Sequence, residues 1–445
     1  MDRYDSYKDS GVKWIGEIPN GWNVTKLKYT KKDSRNSFID GDWIESKDLS
    51  DDGIRYITSG NIGEGKYKEQ GSGYISEDTF NELNCTELFE GELVISRLFL
   101  PVGRSCILPN LNNRVITCVD NVVLRPKDSF NKFYLNYQFN SSRYSEFTEL
   151  ISRGVTLTRI SRGMLGNNSI VVPSLSEQQQ IVTFLDDKTQ KIDSLIQQKE
   201  KKIKLLKEKR TSLINHIVTK GLNPNVEMKD SGVEWIGKIP RDWIKTKLKH
   251  VTNIYGRIGY RGYTVEDIVD EGEGVITISP SNIKNDVFST KNSTYITWDK
   301  YYESPEIQIF TNDIILVKTG STIGKTSIIP EDVPEMTINP QLVVLKDVKL
   351  FPKYLYYQTT CRFIKESFLI EQTGSSTPTI SQLKVNEFPL LQPSLLEQQQ
   401  IVEYLDKQTE EIDTLIQLEQ KKIDTLKEYR QSLISEVVTG KIKVV

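Results

Sequence analysis

Histidine and cysteine are scarce in this sequence of 445 residues, which has two histidines, His216 and His250, and four cysteines. No two cysteines form a CxxC pair, so a zinc site would have almost no ligands, and catalysis by an imidazole is nearly excluded. We therefore expect no metal site. Four scattered cysteines suit a reducing cytoplasm better than a disulfide framework, and we expect a cytoplasmic protein.

Positive charge is not in excess, because 58 Lys and Arg residues stand against 60 Asp and Glu residues, for a net charge of -2. This balance excludes a uniformly basic nucleic-acid binder, but not a binder with local basic loops. No apolar run approaches the ~20 residues of a membrane span, and the first ten residues do not resemble a signal peptide. We expect a globular protein without a membrane partner, and at about 150 residues per domain its length predicts two to four domains.

The sequence does contain a long internal repeat. DSGVKWIGEIPNGWNVTKLKY (9–29) returns as DSGVEWIGKIPRDWIKTKLKH (230–250), with 14 of 21 positions identical. A second match begins at Pro173 and Pro393, where 29 of 50 positions are identical. The intervening segments match weakly but in register, so each half holds a variable domain followed by a preserved segment. The predicted segments are 1–172, 173–222, 223–392 and 393–445.

The two preserved segments have the pattern of long helices. Ser174 and Ser394 precede Glu177 and Glu397 by three residues, as in a capping box. Apolar residues then recur at alternating spacings of three and four for about five heptads, which is typical of a coiled coil. The alternative is an amphipathic helix packed on its own domain. The positions predicted to pair the helices are Ile192, Ile196, Lys199, Ile203, Leu206, Ile412, Ile416, Glu419, Ile423 and Leu426.

The short connection between the repeats predicts antiparallel helices. Only about eight residues separate the first helix from the second repeat, so the second domain would lie at the far end of that helix and its own helix would return. The midpoint of the apolar seam would place Lys199 opposite Glu419, and Arg210 opposite Thr409. The first helix has ten Lys/Arg against six Asp/Glu, and the second has six against ten, which favours pairing within one chain. Two side chains that extend independently into solvent are the alternative for Lys199 and Glu419.

The variable domains have the pattern of mixed α and β structure, so the predicted fold class is α+β. Short β-branched runs bounded by Gly, Asn or Asp predict strands at 53–58, 93–97, 275–279 and 314–318. Helical patterns follow at 131–150 and 352–371. With the repeat, this predicts two globular domains joined by two long antiparallel coiled-coil helices around a pseudo-twofold axis. Such an arrangement suits two DNA half-sites about one helical turn apart.

Other motifs favour packing over chemistry. GSTIGKTS (320–327) resembles a phosphate-binding loop but leaves three residues between its glycines where that motif has four. The recurring Trp14, Trp22, Trp235 and Trp243 are interpreted as residues that pack the start of each repeat onto its domain. Methyltransferase chemistry would need an Asn/Asp-Pro-Pro-aromatic loop, and the sequence contains none. We also find no convincing Ser/His/Asp set and no nuclease-like carboxylate cluster in the sequence. We predict a chain without catalytic residues.

Several loops combine basic residues with glycine and hydroxyl residues. GRIGYRGYT (256–264) would let the backbone approach a ligand while arginines contact phosphates or guanine and tyrosines stack. RGVTLTRISR (153–162) and TGSSTPTIS (373–381) suit phosphate and base contacts. A solvated surface loop is the alternative for each. The predicted DNA-contacting residues are Arg97, Arg104, Arg153, Thr156, Arg159, Arg162, Arg257, Tyr260, Arg261, Tyr263, Lys318, Ser321, Lys325, Ser376 and Thr377.

Taken together, these features resemble the specificity subunit of bacterial type I restriction-modification systems. The resemblance rests on EQQQIV followed by LD, ID and LI on a heptad helix, on the DSGVxWIGxIP segment, and on two variable domains separated by repeated helices. It covers essentially the whole chain. It implies two target recognition domains that each read one half of a bipartite double-stranded DNA site. No base-contacting residue is transferred from the family, because the two domains differ strongly.

The resemblance also implies partners. Two modification (methyltransferase) subunits would bind the chain, and restriction subunits with ATP-driven translocation would join that core. S-adenosylmethionine, ATP and Mg would belong to the partners, one of which would flip an adenine for N6 methylation, and this chain would bind no cofactor. Two alternatives from other classes stay open: a protein–protein scaffold without DNA readout, and an enzyme with an unrecognised site.

Overall fold

In a computed structural model, the protein is described over residues 2–154, 157–257, 259–284, 286–374 and 377–444. The chain divides into two compact units, one formed by Met1–Glu200 with Gln420–Val445 and the other by Lys201–Glu419. Each unit therefore contains a variable domain, the first part of one long helix and the last part of the other. The four consecutive segments proposed from the sequence stay a prediction about domain boundaries.

The first unit contains mixed α and β structure. Its strands are β1 (Tyr7–Asp9), β2 (Glu17–Pro19), β3 (Asn23–Lys26), β4 (Phe38–Asp40), β5 (Leu49–Ser50), β6 (Ile54–Ile57), β7 (Gly73–Ile75), β8 (Leu93–Ser96), β9 (Ser105–Ile107), β10 (Val115–Thr117), β11 (Asn121–Leu124) and β12 (Ser169–Val172). Its helices are α1 (Glu77–Glu82), α2 (Lys132–Phe139), α3 (Ser142–Ile151), α4 (Arg162–Asn167) and the start of the long helix α5 (Leu175–Lys220). The two larger sheets have the strand orders β10-β6-β7-β5 and β4-β11-β8-β9.

The second unit follows the same plan. Its strands are β13 (Met228–Asp230), β14 (Lys238–Pro240), β15 (Ile244–Lys247), β16 (Asn253–Gly256), β17 (Ile268–Val269), β18 (Val275–Ile278), β19 (Ile283–Lys284), β20 (Val287–Phe288), β21 (Thr294–Ile296), β22 (Gln308–Ile309), β23 (Ile314–Val317), β24 (Thr326–Ile328), β25 (Met336–Ile338), β26 (Leu342–Lys346) and β27 (Pro389–Gln392). Its helices are α6 (Leu248–Val251), α7 (Trp298–Tyr302), α8 (Pro352–Thr360), α9 (Arg362–Glu371), α10 (Gln382–Asn386) and the start of the long helix α11 (Leu395–Val438). The larger sheets have the orders β16-β26-β23-β24 and β17-β21-β18-β25-β22.

The weak sequence repeat of the variable domains is a close structural repeat. In the first unit β8 pairs antiparallel with β11, and Val94 lies opposite Val123. In the second unit β23 pairs with β26, and Ile315 lies opposite Val344, which are the equivalent residues. The four predicted strands correspond to β6, β8, β18 and β23. The mixed α and β fold predicted from the sequence is therefore confirmed.

The two predicted helices of the variable domains are each divided in two, which corrects the sequence interpretation. One extended residue makes each break, Ser141 between α2 and α3 (ψ 146°) and Cys361 between α8 and α9 (ψ 155°). In the first unit the break is anchored by Asn140, whose side-chain amide donates to the Ser105 carbonyl at 3.0 Å. Apolar periodicity continues across such a break, because both helices pack on the same core, and it does not reveal the change of direction.

The long helices begin and end where the sequence predicts. The N–H groups of Glu177 and Glu397 donate to the hydroxyls of Ser174 and Ser394, each at 3.3 Å. Gly221 and Gly440 follow the C-terminal ends with φ of +75° and +73°, a conformation that a residue with a Cβ rarely adopts. A side chain at these glycines would also meet the indole of Trp243 in the second unit and of Trp22 in the first.

Burial along both helices follows the predicted seam. Positions such as Val182, Leu185 and Ile192 are buried, and the equivalent residues of α11 are buried as well. Lys199, Leu206, Ile416 and Leu426 are half-buried, whereas residues between the seam positions are mostly exposed. In the second unit, the end of α5 and the start of α11 share one apolar core that includes Ile217, Val218, Trp243, Ile401 and Leu405.

The helices are antiparallel where ion pairs join them. In the second unit, Lys202 pairs with Glu419 at 3.0 Å and Arg210 with Asp413 at 3.1 Å, so partner numbers fall as numbers rise along α5. Thr409, the residue that the midpoint placed opposite Arg210, lies one turn from Asp413. Side chains on a helix tilt toward its N-terminus, and in an antiparallel pair this tilt carries Arg210 toward higher numbers on α11. The opposition of Lys199 and Glu419 stays a prediction.

The repeated tryptophans have two different environments. Trp22 and Trp243 are buried together with Ile18 and Ile239, as predicted. Trp14 is half-buried and stacks on Phe147 with 5.6 Å between ring centroids, whereas Trp235 is 42% exposed. The prediction of packing is therefore confirmed for the second tryptophan of each repeat and only partly for the first. Within the ranges given above, no helix combines the length and apolar character needed to cross a bilayer.

Asp193 forms ion pairs with two basic residues in the first unit. Its carboxylate pairs with Arg430 of α11 at 2.9 Å and with Lys66 of the variable domain at 3.0 Å. We expect Asp193→Asn to lower the free energy of unfolding by about 1 kcal/mol, because both cations lose their counter-charge in a partly buried place. The control is Asp187→Asn, since Asp187 is more exposed and pairs with Lys191 of the same helix. Urea unfolding should show a clear loss of unfolding free energy for the first variant and almost none for the second. Equal losses would mean that the two ion pairs of Asp193 do not stabilise the first unit.

Candidate nucleic-acid interface

The predicted loops of the first variable domain meet beside the end of β8. Arg97 follows that strand, its N–H donates to the Asp120 carbonyl at 2.8 Å, and its carbonyl accepts from the N–H of Ile160 at 3.0 Å. Arg153 and Arg159 exchange both backbone hydrogen bonds, at 3.0 and 2.8 Å, and close a hairpin against this strand end. Residues 97–104 and 153–162, together with Asp120, are called the first loop cluster below.

The second variable domain has the same arrangement at the end of β23. The N–H of Lys318 donates to the Gln341 carbonyl at 2.9 Å, and its carbonyl accepts from the N–H of Ile380 at 3.0 Å. Thr373 and Thr379 exchange both backbone bonds, at 2.8 and 2.9 Å. Residues 318–325 and 373–381, together with Gln341, are called the second loop cluster.

The two loop clusters share backbone hydrogen bonds but differ in most of their side chains. The first cluster is rich in arginine and has exposed apolar residues, whereas the second presents hydroxyl and amide groups. The part of the backbone path that the clusters share is therefore fixed by bonds that do not depend on the side chains. The equivalent pairs are Arg97/Lys318, Leu98/Thr319, Phe99/Gly320, Asp120/Gln341, Arg153/Thr373, Arg159/Thr379 and Arg162/Gln382.

Two predicted DNA-contacting residues of the first cluster are engaged inside the protein. The guanidinium of Arg104 donates to five backbone carbonyls, those of Ser59, Ile62, Leu98, Phe99 and Pro101, at 2.6 to 3.2 Å. Arg104 is 8% exposed, and burial lowers the pKa of its guanidinium. This geometry assigns Arg104 to holding the loop and disfavours a direct contact with DNA.

Arg97 has a similar inward position. It is buried, pairs with Asp40 at 3.1 Å, and donates to the carbonyls of Val119 and Ile160. Burial lowers the pKa of its guanidinium, although Asp40 opposes that effect. Periodicity could not reveal these positions, because the partner carbonyls come from segments far apart in the sequence.

Three other arginines of the first cluster lie at the surface. Arg153, Arg159 and Arg162 are exposed. Arg159 pairs with Asp120 at 2.7 Å, and Arg162 pairs with Asp40 at 3.3 Å. Sequence reasoning missed both carboxylates. The sequence repeat could have drawn attention to Asp120, because it aligns this residue with Gln341, and a strand follows immediately after each of the two.

The glycine-rich loop of the second domain also turns one arginine inward. Arg257 is buried, and its guanidinium donates to the carbonyls of Ile338 and Arg261 at 3.0 and 3.3 Å and to the Thr337 hydroxyl at 3.1 Å. Tyr263 lies 5.5 Å from the same guanidinium. Arg257 is therefore better explained as a residue that holds the loop than as one that contacts DNA.

Arg261 lies nearer to the surface of the same loop. It is half-buried and pairs with Glu306 at 3.5 Å. The side chain of Tyr260 lies outside the described part of the chain, and so do Thr156 and Ser376 of the two loop clusters. Their predicted contacts stay predictions.

A cavity of about 440 Å³ opens at the second loop cluster. Ser321 and Lys325, two of the predicted DNA-contacting residues, line it together with Ser281, Lys284 and Gln341, which the sequence analysis did not name. Lys318, at the end of β23, is half-buried, and burial lowers the pKa of its ammonium group. Thr377 is exposed at the tip of the neighbouring hairpin. These hydroxyl, amide and ammonium groups are those that proteins use for phosphates and base edges. Over the ranges that the structure covers, no group of three or more His, Cys, Asp or Glu side chains could hold a metal ion.

Comparison with known families identifies both copies of this arrangement. The family described as type I restriction modification DNA specificity domain matches residues 23–205 and 240–428, which is more than half of the chain. The chain belongs to this family. The resemblance inferred from the sequence is thereby confirmed.

Individual relatives agree with the family. The chain is similar to the type I restriction enzyme MjaVIII specificity subunit of Methanocaldococcus jannaschii, at 26% identity over 314 residues, covering 69% of this chain and 70% of that one. It is also similar to the MjaIX specificity subunit of the same organism, at 24% identity over 448 residues, covering 97% and 95%. A chain from a structural study of complex assembly and conformational transition of the type I R-M system has a TM-score of 0.70 at 15% identity and covers 96% of this chain and 99% of that chain. That likeness supports the fold.

The inward position of Arg104 can be tested without DNA. We expect Arg104→Met to lower the free energy of unfolding by about 2–4 kcal/mol, because buried carbonyls lose a charged donor. Its equivalent Lys325 lines an open cavity, so Lys325→Met should cost less than about 0.5 kcal/mol. Thermal unfolding of the two variants makes the comparison. A stable Arg104→Met protein would return Arg104 to the candidates for DNA contact.

Proposed function

We propose that this chain is the DNA-specificity subunit of a type I restriction-modification complex and has no catalytic site of its own. Each variable domain would read one half of a bipartite double-stranded DNA target, and the long helices would set the spacing of the two halves. The observation that carries this proposal is the pair of loop clusters, which have equivalent backbone hydrogen bonds and different side chains. Two domains that recognise different DNA sequences on one scaffold need loops of the same backbone shape with different side chains.

The chemistry of the loop clusters supports duplex DNA as the ligand. The first cluster offers exposed arginines beside the exposed apolar residues Phe99 and Leu157, which suit guanine edges and thymine methyl groups. The second offers hydroxyl and amide groups beside Lys325. Local positive charge at such loops is compatible with a net charge of -2 for the chain.

The repeated helices support two copies of one partner. Leu195 and Leu415 occupy equivalent positions and are 46% and 42% exposed, and Leu175 and Leu395 are also exposed. Exposed apolar side chains at equivalent positions give both helices the same contact points for a partner. We propose that two modification subunits bind there, that these supply S-adenosylmethionine-dependent adenine-N6 methylation, and that restriction subunits using ATP and Mg join the assembly.

Domain exchange tests the division of labour. Replacing residues 223–392 with the corresponding domain of another family member should change one half of the methylated motif and leave the other half intact. The reason is that the first loop cluster keeps all its side chains in the exchanged chain. Methylation-sensitive sequencing of DNA from a host that expresses the chain with its modification partner gives the motif. The reciprocal exchange of residues 1–172 is the matched control and should change the opposite half.

Two results would count against the proposal. A change in both halves after either exchange would mean that the domains do not read separately. Binding of the assembled complex to duplex DNA that does not weaken with salt, or no binding at all, would favour a protein–protein scaffold, because phosphate contacts make binding salt-dependent.

A further inference from the structure

The first loop cluster contains an ion pair that the second lacks. The side chains of Arg159 and Asp120 are 46% and 23% exposed, and Oδ1 of Asp120 lies 2.7 Å from Nη2 of Arg159 in an ion pair. The equivalent residues of the second cluster are Thr379 and Gln341, which carry no charge. The backbone around both positions is the same, so the difference lies in what the side chains offer to a ligand.

Asp120 is itself fixed by the protein. Its carbonyl accepts the N–H of Arg97 at 2.8 Å, and Asn121 begins β11 immediately after it. The amide of Asn121 is buried and bonded to the hydroxyls of Ser59 and Thr117 at 3.1 and 2.8 Å. The carboxylate therefore projects from a rigid turn, and it restricts the rotamers of Arg159 before any ligand binds. Such pre-organisation lowers the entropic cost of binding.

The pairing changes what Arg159 can recognise. A guanidinium has five N–H donors, and one carboxylate leaves several of them available in a fixed plane. The ion pair is close to neutral, so its attraction to phosphate is weak compared with that of an unpaired cation. Fixed, parallel donors on a nearly neutral group suit a pair of adjacent acceptors on a base edge. In the major groove, guanine presents such a pair as O6 and N7.

On the basis of the function proposed above, we propose that Arg159, positioned by Asp120, reads a guanine in the half-site bound by the first variable domain. Asp120 is a positioning residue and does not contact the base. The second domain has no arginine at this place, so its half-site is read there by the shorter Thr379 and the amide of Gln341. The two half-sites therefore differ in the chemistry of recognition at equivalent positions.

The test uses the complete complex of the chain with its modification partner in a host, and methylation-sensitive sequencing of the host DNA. Arg159→Ala should weaken the preference for guanine at one position of the half-site that domain exchange assigns to residues 1–172. We expect about a ten- to hundredfold loss of discrimination against other bases at that position. Asp120→Asn should weaken the preference for guanine at the same position by a smaller factor, because the arginine remains but has lost its charged partner. Thr379→Ala is the matched control and should leave that guanine unchanged.

Several outcomes would overturn the inference. An unchanged motif in Arg159→Ala would show that the ion pair is structural, and relaxation of a position other than guanine would show that the base is misassigned. A weaker preference for the same guanine in Thr379→Ala would mean that the second variable domain recognises this base and would contradict the proposal. If the alanine variant does not fold, Arg159→Lys decides, since lysine keeps the charge but not the parallel donors, and a motif that lysine leaves intact overturns the proposal. Failure of domain exchange, in contrast, would reject the proposed function itself.

Discussion

Burial of one apolar face along two long helices is the constraint on which the rest of the structure depends. Neither helix could remain exposed at the seam, since positions such as Leu185, Ile192 and Leu405 are apolar and buried. Each unit completes its core with the end of one helix and the start of the other, as the cluster that joins Val218 and Ile401 to Trp243 shows. The variable domains also have apolar cores of their own, so each unit combines a core within its variable domain with one completed by the long helices.

The helices could be predicted from the sequence because a helix repeats its environment every three or four residues. Apolar spacing, the Ser-x-x-Glu start and the terminal glycine are all local signals, and all three agree with the structure for α5 and α11. The ion pair of Arg210 was harder to place. Its partner Asp413 depends on the direction in which both side chains tilt, which a count of residues from the seam midpoint does not include.

The loop residues were predicted less well because their environment comes from distant segments. Residue type alone suggested that Arg104 and Arg257 face a ligand, but both donate to carbonyls of residues that no local pattern connects with them. The same reasoning missed Asp40 and Asp120, because an isolated carboxylate has no periodic signature. Arg159, Ser321 and Lys325 lie at the surface of the same loops, where a ligand could reach them, and their contacts with DNA stay predictions.

The shared hydrogen bonds of the loop clusters have a consequence for evolution. The bonds between Arg153 and Arg159 and between Thr373 and Thr379 join backbone atoms, which every residue other than proline can provide. A mutation at such a position can thus replace the side chain without removing the contacts that shape the loop. Lineages carrying this scaffold can drift from one preference to another through intermediates that still fold. The two halves of this one chain show that very different side chains are compatible with the same loop bonds.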